Sequence, residues 1–290
     1  MTDNVRAAAI ALYDRFTHES FDRRAFMAEL TRIAGSAAAA TALLASIAAD
    51  PAAAALVPAN DRRVEADEIA WQTNGLRAMK GYLAMPRRAG AFQPIVVVHE
   101  NRGLNDHIRD VARRLAVEGF LALAPDFLSS AGGTPNDADR AREMIGALDM
   151  GAAVGDGVAT LAFLQRHARA RGKIGLTGFC WGGAMVNRLA VAAGPALGSA
   201  VSFYGPAPDP AEAAQVQAPI MLQLGGLDER VNATALPWAE ALKAAGKTVE
   251  VHVYPGANHA FHNDTSAERY DPAAAQLAWD RTLAFFRAHA

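Results

Sequence analysis

Cysteine is almost absent from this chain: one thiol, Cys180, stands among 290 residues. That excludes an intramolecular disulfide framework and a cysteine-rich zinc site. An excess of one charge is missing too, since 28 Lys and Arg face 30 Asp and Glu for a formal net charge of −2. There is no basic surplus for nucleic acid and no acidic tail. No uninterrupted, strongly apolar run is long enough for a stable bilayer span, and no internal repeat is apparent. What remains, 51% hydrophobic and 20% charged residues, is the composition of a globular protein with a full core.

The single cysteine occupies the most informative stretch of the chain, Lys173 to Gly183. Ile174–Thr177 reads as a short buried strand, and Ala184 onward as a helix. Between them Gly178-Phe179-Cys180-Trp181-Gly182 is Gly-x-nucleophile-x-Gly with a thiol in place of the usual hydroxyl. Strand, sharp glycine turn and helix make a nucleophile elbow. The elbow lifts the sulfur to the C-terminal edge of a sheet and sets it at a helix N-terminus, where partial positive charge favours thiolate. The bland alternative is a small buried hydrophobe.

Residues 1–60 differ in composition from the rest. Asp22-Arg23-Arg24-Ala25-Phe26-Met27 resembles a twin-arginine export motif, the alanine-rich stretch Ile33–Ala49 follows, and Ala52–Leu56 offers small residues for a signal peptidase. Cleavage there would place the protein in the periplasm. The alternative is an alanine-rich helical extension that stays attached and packs on the main domain, with a cytoplasmic location. Ala37–Ala49 forms a helix on either reading, and Asp50-Pro51 is a plausible stop.

From residue 65 to 290 strand and helix patterns alternate. Glu68–Gln72 and Leu76–Ala84 read as a hairpin around Asn74-Gly75. Ile95–His99, Phe120–Ala124, 174–177, Ala200–Tyr204, Ile220–Leu224 and Val249–Tyr254 read as further strands. Ile108–Glu118, Asp137–Leu148, Val154–His167, 184–193, Leu236–Ala245 and Ala273–Ala288 read as helices. This alternation predicts an α/β fold with a mostly parallel, doubly wound sheet. Function in such sheets sits on loops at the C-terminal strand ends.

A thiol nucleophile needs a base, and the base an orienting carboxylate. The α/β-hydrolase chain order is nucleophile, acid, histidine. Asp228 directly follows the Ile220–Leu224 strand loop and His259 follows the Val249–Tyr254 strand, which delivers that order. Each alone has an ordinary reading, Asp228 as a helix cap and His259 as a satisfied surface group. Glu229 is the rival acid, while His262 and His252 are rival bases. A metal site of His252, His259 and His262 lacks a carboxylate at convincing ligand spacing. Glu100, at the end of the Ile95–His99 strand, stands where such folds put an oxyanion donor. Beside a thiol it can hold or accept the sulfhydryl proton; the alternative is a structural partner for Arg102 or Arg109. The oxyanion donors would be the backbone N–H groups of Asn101 and Trp181.

With Val98–Leu104, Ala124-Pro125-Asp126, Gly178–Gly183, Gly226-Leu227-Asp228 and Asn258–Phe261, residues 65–290 resemble the dienelactone hydrolase (carboxymethylenebutenolidase) family. The resemblance implies an α/β-hydrolase fold, a Cys180–Asp228–His259 triad, and a gating role for Glu100, which would hold the resting thiol and take its proton. It implies no cofactor. One part of the pattern departs. Members that act on dienelactone hold the substrate carboxylate with two arginines, and the one expected four residues after the triad histidine is Asn263 here. Arg102 and Arg142 are the substrate-binding candidates, with Arg140 and Arg269 as further cations nearby. Trp181, Phe127 and Phe261 are candidates to line the pocket. The expected activity is hydrolysis of a small-molecule ester or lactone through a thioester. A second class of reading keeps the fold and makes Cys180 the redox switch of a sensor or binding protein.

Overall fold

The computed structural model describes residues 3–19, 21–48, 55–73 and 77–290. The Asn74-Gly75 turn, the Asp50-Pro51 stop and most of the proposed cleavage region lie outside the described residues.

The chain opens with three helices, α1 (Asp3–His18), α2 (Arg23–Ala34) and α3 (Ala37–Ile47). Asp22 caps α2 by accepting from the Arg24 and Ala25 N–H groups, and Ser36 caps α3 through the Ala39 N–H. Thus Arg23 and Arg24 open a capped helix. Phe16, Phe26, Leu30, Leu43 and Ile47 form a small core of their own, with Phe16 and Phe26 stacked at 4.3 Å.

A single eight-stranded sheet follows, in the order β1 (Val64–Gln72), β2 (Ala78–Pro86), β4 (Leu121–Asp126), β3 (Pro94–Val98), β5 (Ile174–Phe179), β6 (Leu197–Phe203), β7 (Ile220–Gly225) and β8 (Val249–Tyr254). β1, β2 and β4 are joined antiparallel; every pairing from β4 to β8 is parallel. Helices α4 (Asp106–Val117), α5 (Ala138–Gly146), α6 (Met150–Gln165), α7 (Trp181–Ala192), α8 (Glu229–Ala244) and α9 (Pro272–Ala288) complete the chain. The central strands β3 and β5 are buried along their whole length, as a parallel sheet sandwiched between helical layers requires. This is the mostly parallel, doubly wound sheet predicted by the alternation, and the α/β-hydrolase architecture implied by the resemblance.

Several boundaries move: α6 begins at Met150 rather than Val154, α7 at Trp181 rather than Ala184, and β6 at Leu197 rather than Ala200. β1 begins four residues ahead of Glu68, because Val64 to Glu68 pair in register with Pro86 to Tyr82. α8 begins at Glu229 rather than Leu236 and carries Pro237 inside it. The Asp228 side chain accepts from the Val231 N–H and starts the helix early, and tertiary packing of Val231, Ala235 and Trp238 holds the first turns. No single helix among the described residues is long and apolar enough to cross a membrane.

Candidate active site

The β5–α7 junction is built around close backbone approach. A Cβ at Gly182 would overlap the carbonyl oxygens of Val98 and His99, and one at Gly178 would overlap the Gly182 carbonyl. Only glycine lets β3, β5 and α7 meet so tightly. Cys180 between them is held at φ 57°, ψ −113°. A non-glycine residue there costs about 1–3 kcal/mol of local strain, maintained by the buried strands on both sides. The Cys180 N–H donates to Phe203 O at 3.0 Å. The sulfur therefore stands at the head of α7 with its side chain 5% exposed.

His259 lies in the loop after β8, and its Nδ1–H donates to Asp228 Oδ2 at 2.5 Å. Asp228 does both jobs that its sequence position allowed: Oδ1 caps α8 while Oδ2 orients the imidazole. One ring nitrogen of His259 and the Cys180 sulfur lie within 4.8 Å of each other. His259 Nε2 is buried without a hydrogen-bond partner among the described residues, so it is free to act toward the thiol side. Burial lowers the basicity of His259, but the Asp228 and Cys180 charges outweigh it and raise its pKa to about 10. Asp228 is opposed by burial and pulled below the usual carboxylate range by His259.

Glu100 is buried beside this group, 6% exposed. It pairs with neither Arg102 nor Arg109. Its Oε2 accepts from Asn263 Nδ2 at 2.8 Å, and its Oε1 has no partner among the described residues. Thus the amide at the position where an arginine was expected holds the glutamate. Tyr204, at φ 37°, stacks edgewise on His259 at 5.1 Å. Burial, then the Glu100 and Cys180 charges, drives its hydroxyl pKa well up. Sequence reading did not single out Tyr204; its positive φ is invisible in a residue letter.

The Trp181 N–H, first in α7, and the Asn101 N–H donate to no protein acceptor among the described residues. The Asn101 side chain turns away to donate to Thr17 O at 3.0 Å. Trp181 stacks on His99 at 5.3 Å and meets Phe127 edge-on, whereas Phe261 is fully buried against Tyr254 and Tyr204 and belongs to the core. His99 is a structural residue: Nδ1–H donates to Glu100 O and Nε2 accepts from the Phe127 N–H.

The rival groups are elsewhere. Glu229 lies in the first turn of α8. His252 is paired with Glu250 on β8. His262 is buried against Phe179 at 5.2 Å and Phe203 at 5.0 Å. These two do not gather with His259; the one cluster of metal-ligating type among the described residues is His18, Cys180 and His259. Burial first, then Arg114 and His107, drives the His262 pKa down to about 3. A histidine held neutral this way makes stability pH-dependent. Below about 6.5 the unfolded chain takes up a proton that the folded chain refuses, so stability falls as pH drops toward 3. We expect urea unfolding at pH 4.5 to show a loss on the order of 2 kcal/mol relative to pH 7 from this group. His262→Phe should remove that part of the slope.

The candidate arginines face the N-terminal helices. Arg102 donates to Asp139 Oδ1 at 2.9 Å and to the Tyr13 hydroxyl at 3.1 Å. Arg142 donates to Phe16 O at 3.2 Å and lies 4.5 Å over the Phe16 ring. Arg269 donates to Ile47 O at 3.1 Å and lies 5.0 Å over Tyr13. Arg140 is at the surface with Glu143. A cavity of about 500 Å³ runs along this seam, lined by Tyr13, Phe16, Arg102, His107, Asp139 and Asp264 among others; Cys180 is not on its wall.

The dienelactone hydrolase family model matches residues 79–290. The chain belongs to the dienelactone hydrolase family. It is 35% identical over 245 residues to a Methylorubrum extorquens protein named "Putative carboxymethylenebutenolidase", covering 76% of this chain and 84% of that one. A Bradyrhizobium protein named "Probable 2-oxo-3-(5-oxofuran-2-ylidene)propanoate lactonase" is 33% identical, covering 75% of this chain and 92% of that one. Among solved structures, a Klebsiella pneumoniae protein described as "Putative Dienelactone Hydrolase" superposes with a TM-score of 0.70 at 31% identity, covering 77% of this chain and 98% of that one. The family model begins at residue 79, so helices α1–α3 lie outside it.

Proposed function

We propose that this member of the dienelactone hydrolase family hydrolyses small esters or lactones with Cys180 as nucleophile, through a thioester acyl-enzyme. The observation that carries the reading is the strained elbow cysteine within 4.8 Å of a buried histidine that is itself held by Asp228. The sulfur attacks the substrate carbonyl, forming the S–C bond as the carbonyl π pair moves onto oxygen. The Asn101 and Trp181 N–H groups receive that oxyanion. Collapse expels an alkoxide or enolate, and a lactone opens while still joined through its acyl end.

Deacylation follows from the same electrostatics. In the thioester the sulfur carries no charge, so one of the charges that raises the His259 pKa disappears and burial regains weight. His259 thereby releases its own proton to solvent, and the neutral ring takes a proton from water as water attacks the thioester carbon. The C–S bond breaks and the proton returns to sulfur. Glu100 stays fixed by Asn263 through these steps.

Arg102, Arg142 and Arg269 are already engaged by Tyr13, Phe16 and Ile47. We therefore expect neutral esters and lactones to be turned over faster than carboxylate-bearing ones such as cis-dienelactone. A substrate panel with rapid acid quench and intact-mass detection tests both points. The expected result is a covalent acyl adduct on Cys180 during turnover. Rapid iodoacetamide labelling of Cys180 with no hydrolysis of any ester or lactone would instead favour the thiol switch.

A further inference from the structure

His18, the last residue of α1, meets the catalytic candidate from outside the family-matched region. Its Nε2 lies 3.1 Å from Cys180 Sγ, and its ring packs edgewise on His259 at 4.6 Å. Its other nitrogen, Nδ1, lies 2.8 Å from the Asp14 carbonyl. A carbonyl oxygen only accepts, so Nδ1 carries the proton and Nε2 presents its lone pair to sulfur. The sulfur must then be the donor of that contact. Glu100 is turned to Asn263, leaving the imidazole of His18 as the hydrogen-bond partner of the thiol.

The helix that brings His18 is anchored close to the site. Asn101 donates to Thr17 O, the residue before His18, and Arg142 to Phe16 O. Arg102 reaches the Tyr13 hydroxyl. Arg23 of α2 forms an ion pair with Asp139, and Arg6 of α1 one with Glu268. At the far end of the segment Ser266 and Arg269 donate to Ile47 O, and the Glu268 N–H to Ser46 O. These contacts hold both ends of α1, the start of α2 and the end of α3, which is how a side chain is fixed over an active site rather than left against a surface.

Building on the thioester reading, we propose that His18 is a further catalytic residue, the group that takes the Cys180 thiol proton during acylation and delivers it to the leaving oxygen. As sulfur attacks, the S–H bond breaks and the proton moves to His18 Nε2 while the S–C bond forms. When the tetrahedral intermediate collapses, the C–O bond breaks and the departing oxygen takes that proton. His18 is restored to its starting tautomer and His259 is left for the water step. The carbonyl end of α1 stabilises the transient imidazolium. Burial and then the neighbouring His259 charge hold its pKa well below 6.5, with Arg230 and Arg269 acting in the same sense. The imidazolium is therefore a ready acid for a poor leaving group. On this proposal α1–α3 are a working part of the enzyme.

The test is leaving-group dependence in the full-length chain. His18→Gln and His18→Ala are compared with the parent on p-nitrophenyl acetate, whose leaving group needs no proton, and on an alkyl ester, whose leaving group does. We expect kcat/KM to fall about tenfold on the first and at least about 100-fold on the second, with added imidazole partly restoring His18→Ala. Iodoacetamide labelling of Cys180 at pH 7 should slow several-fold in both variants. Equal losses on both esters, no loss, or faster labelling would overturn the proposal and make His18 only a plug above the thiol. A mature native protein shown by mass spectrometry to begin beyond residue 18 would also overturn it. Labelling needs no turnover, so failure of this proposal is separable from failure of the acyl-enzyme reading, which Cys180→Ala alone decides.

Discussion

Cys180→Ala is expected to reduce kcat/KM for a p-nitrophenyl ester by about 10⁴-fold or more, with no covalent acyl adduct left to detect. The size follows from what the sulfur does. Without it there is no nucleophile at the elbow, and the Asn101 and Trp181 N–H groups can stabilise only a water-derived oxyanion. Alanine occupies the same strained backbone with a slightly smaller side chain, so stability should change by only about 1 kcal/mol. Steady-state kinetics beside thermal unfolding separates the two effects. Turnover within tenfold of the parent would remove Cys180 from the reaction altogether.

The readable parts of the chain are those with short-range physical signatures. The elbow is legible because the glycines at 178 and 182 are demanded by backbone contacts that a Cβ would overlap. The sheet is legible because buried parallel strands such as β3 and β5 must be apolar without alternation. Asp228 and His259 are legible because each directly follows a strand at the functional edge of the sheet. Asp228 also shows why a helix-cap reading and a catalytic reading need not compete, since its two oxygens serve one role each.

What stayed hidden is long-range. Nothing local to Thr17-His18 says that the ring will reach a sulfur 162 positions away. Even the contact that fixes its tautomer is to the backbone carbonyl of Asp14, one turn earlier, a group that every residue carries. Likewise Arg102, Arg142 and Arg269 look like free cations in the sequence. Besides Asp139 at Arg102 and Asp14 at Arg269, their partners on the N-terminal helices are backbone carbonyls and a tyrosine hydroxyl, groups that leave no charge pattern to read. Arg23-Arg24 resembles an export motif and also opens a helix capped by Asp22; two letters serve either purpose, and tertiary contact is not written in them.

The second large effect is expected at Asp228. Asp228→Asn should lower kcat/KM by about 10³–10⁴-fold while keeping the fold, with a stability that comes closest to the parent's near pH 10. Asparagine caps a helix about as well as aspartate, so the Val231 N–H keeps its acceptor and α8 keeps its start. What is lost is the charge that holds the His259 Nδ1–H. The histidine pKa, raised to about 10 against burial by Asp228 and Cys180, then falls, and both the ring orientation and the imidazolium beside the sulfur are weakened. The sign carries over to stability. A histidine whose folded pKa lies above its unfolded value of 6.5 contributes stability that is fully present below about 6.5 and is lost as pH rises through about 10. The parent should therefore lose stability between pH 7 and pH 10, and Asp228→Asn should lose less over the same range. Urea unfolding at the two pH values, read beside the kinetics, measures both consequences of one carboxylate. A variant with the parent's pH slope and activity would mean that Asp228 serves α8 alone.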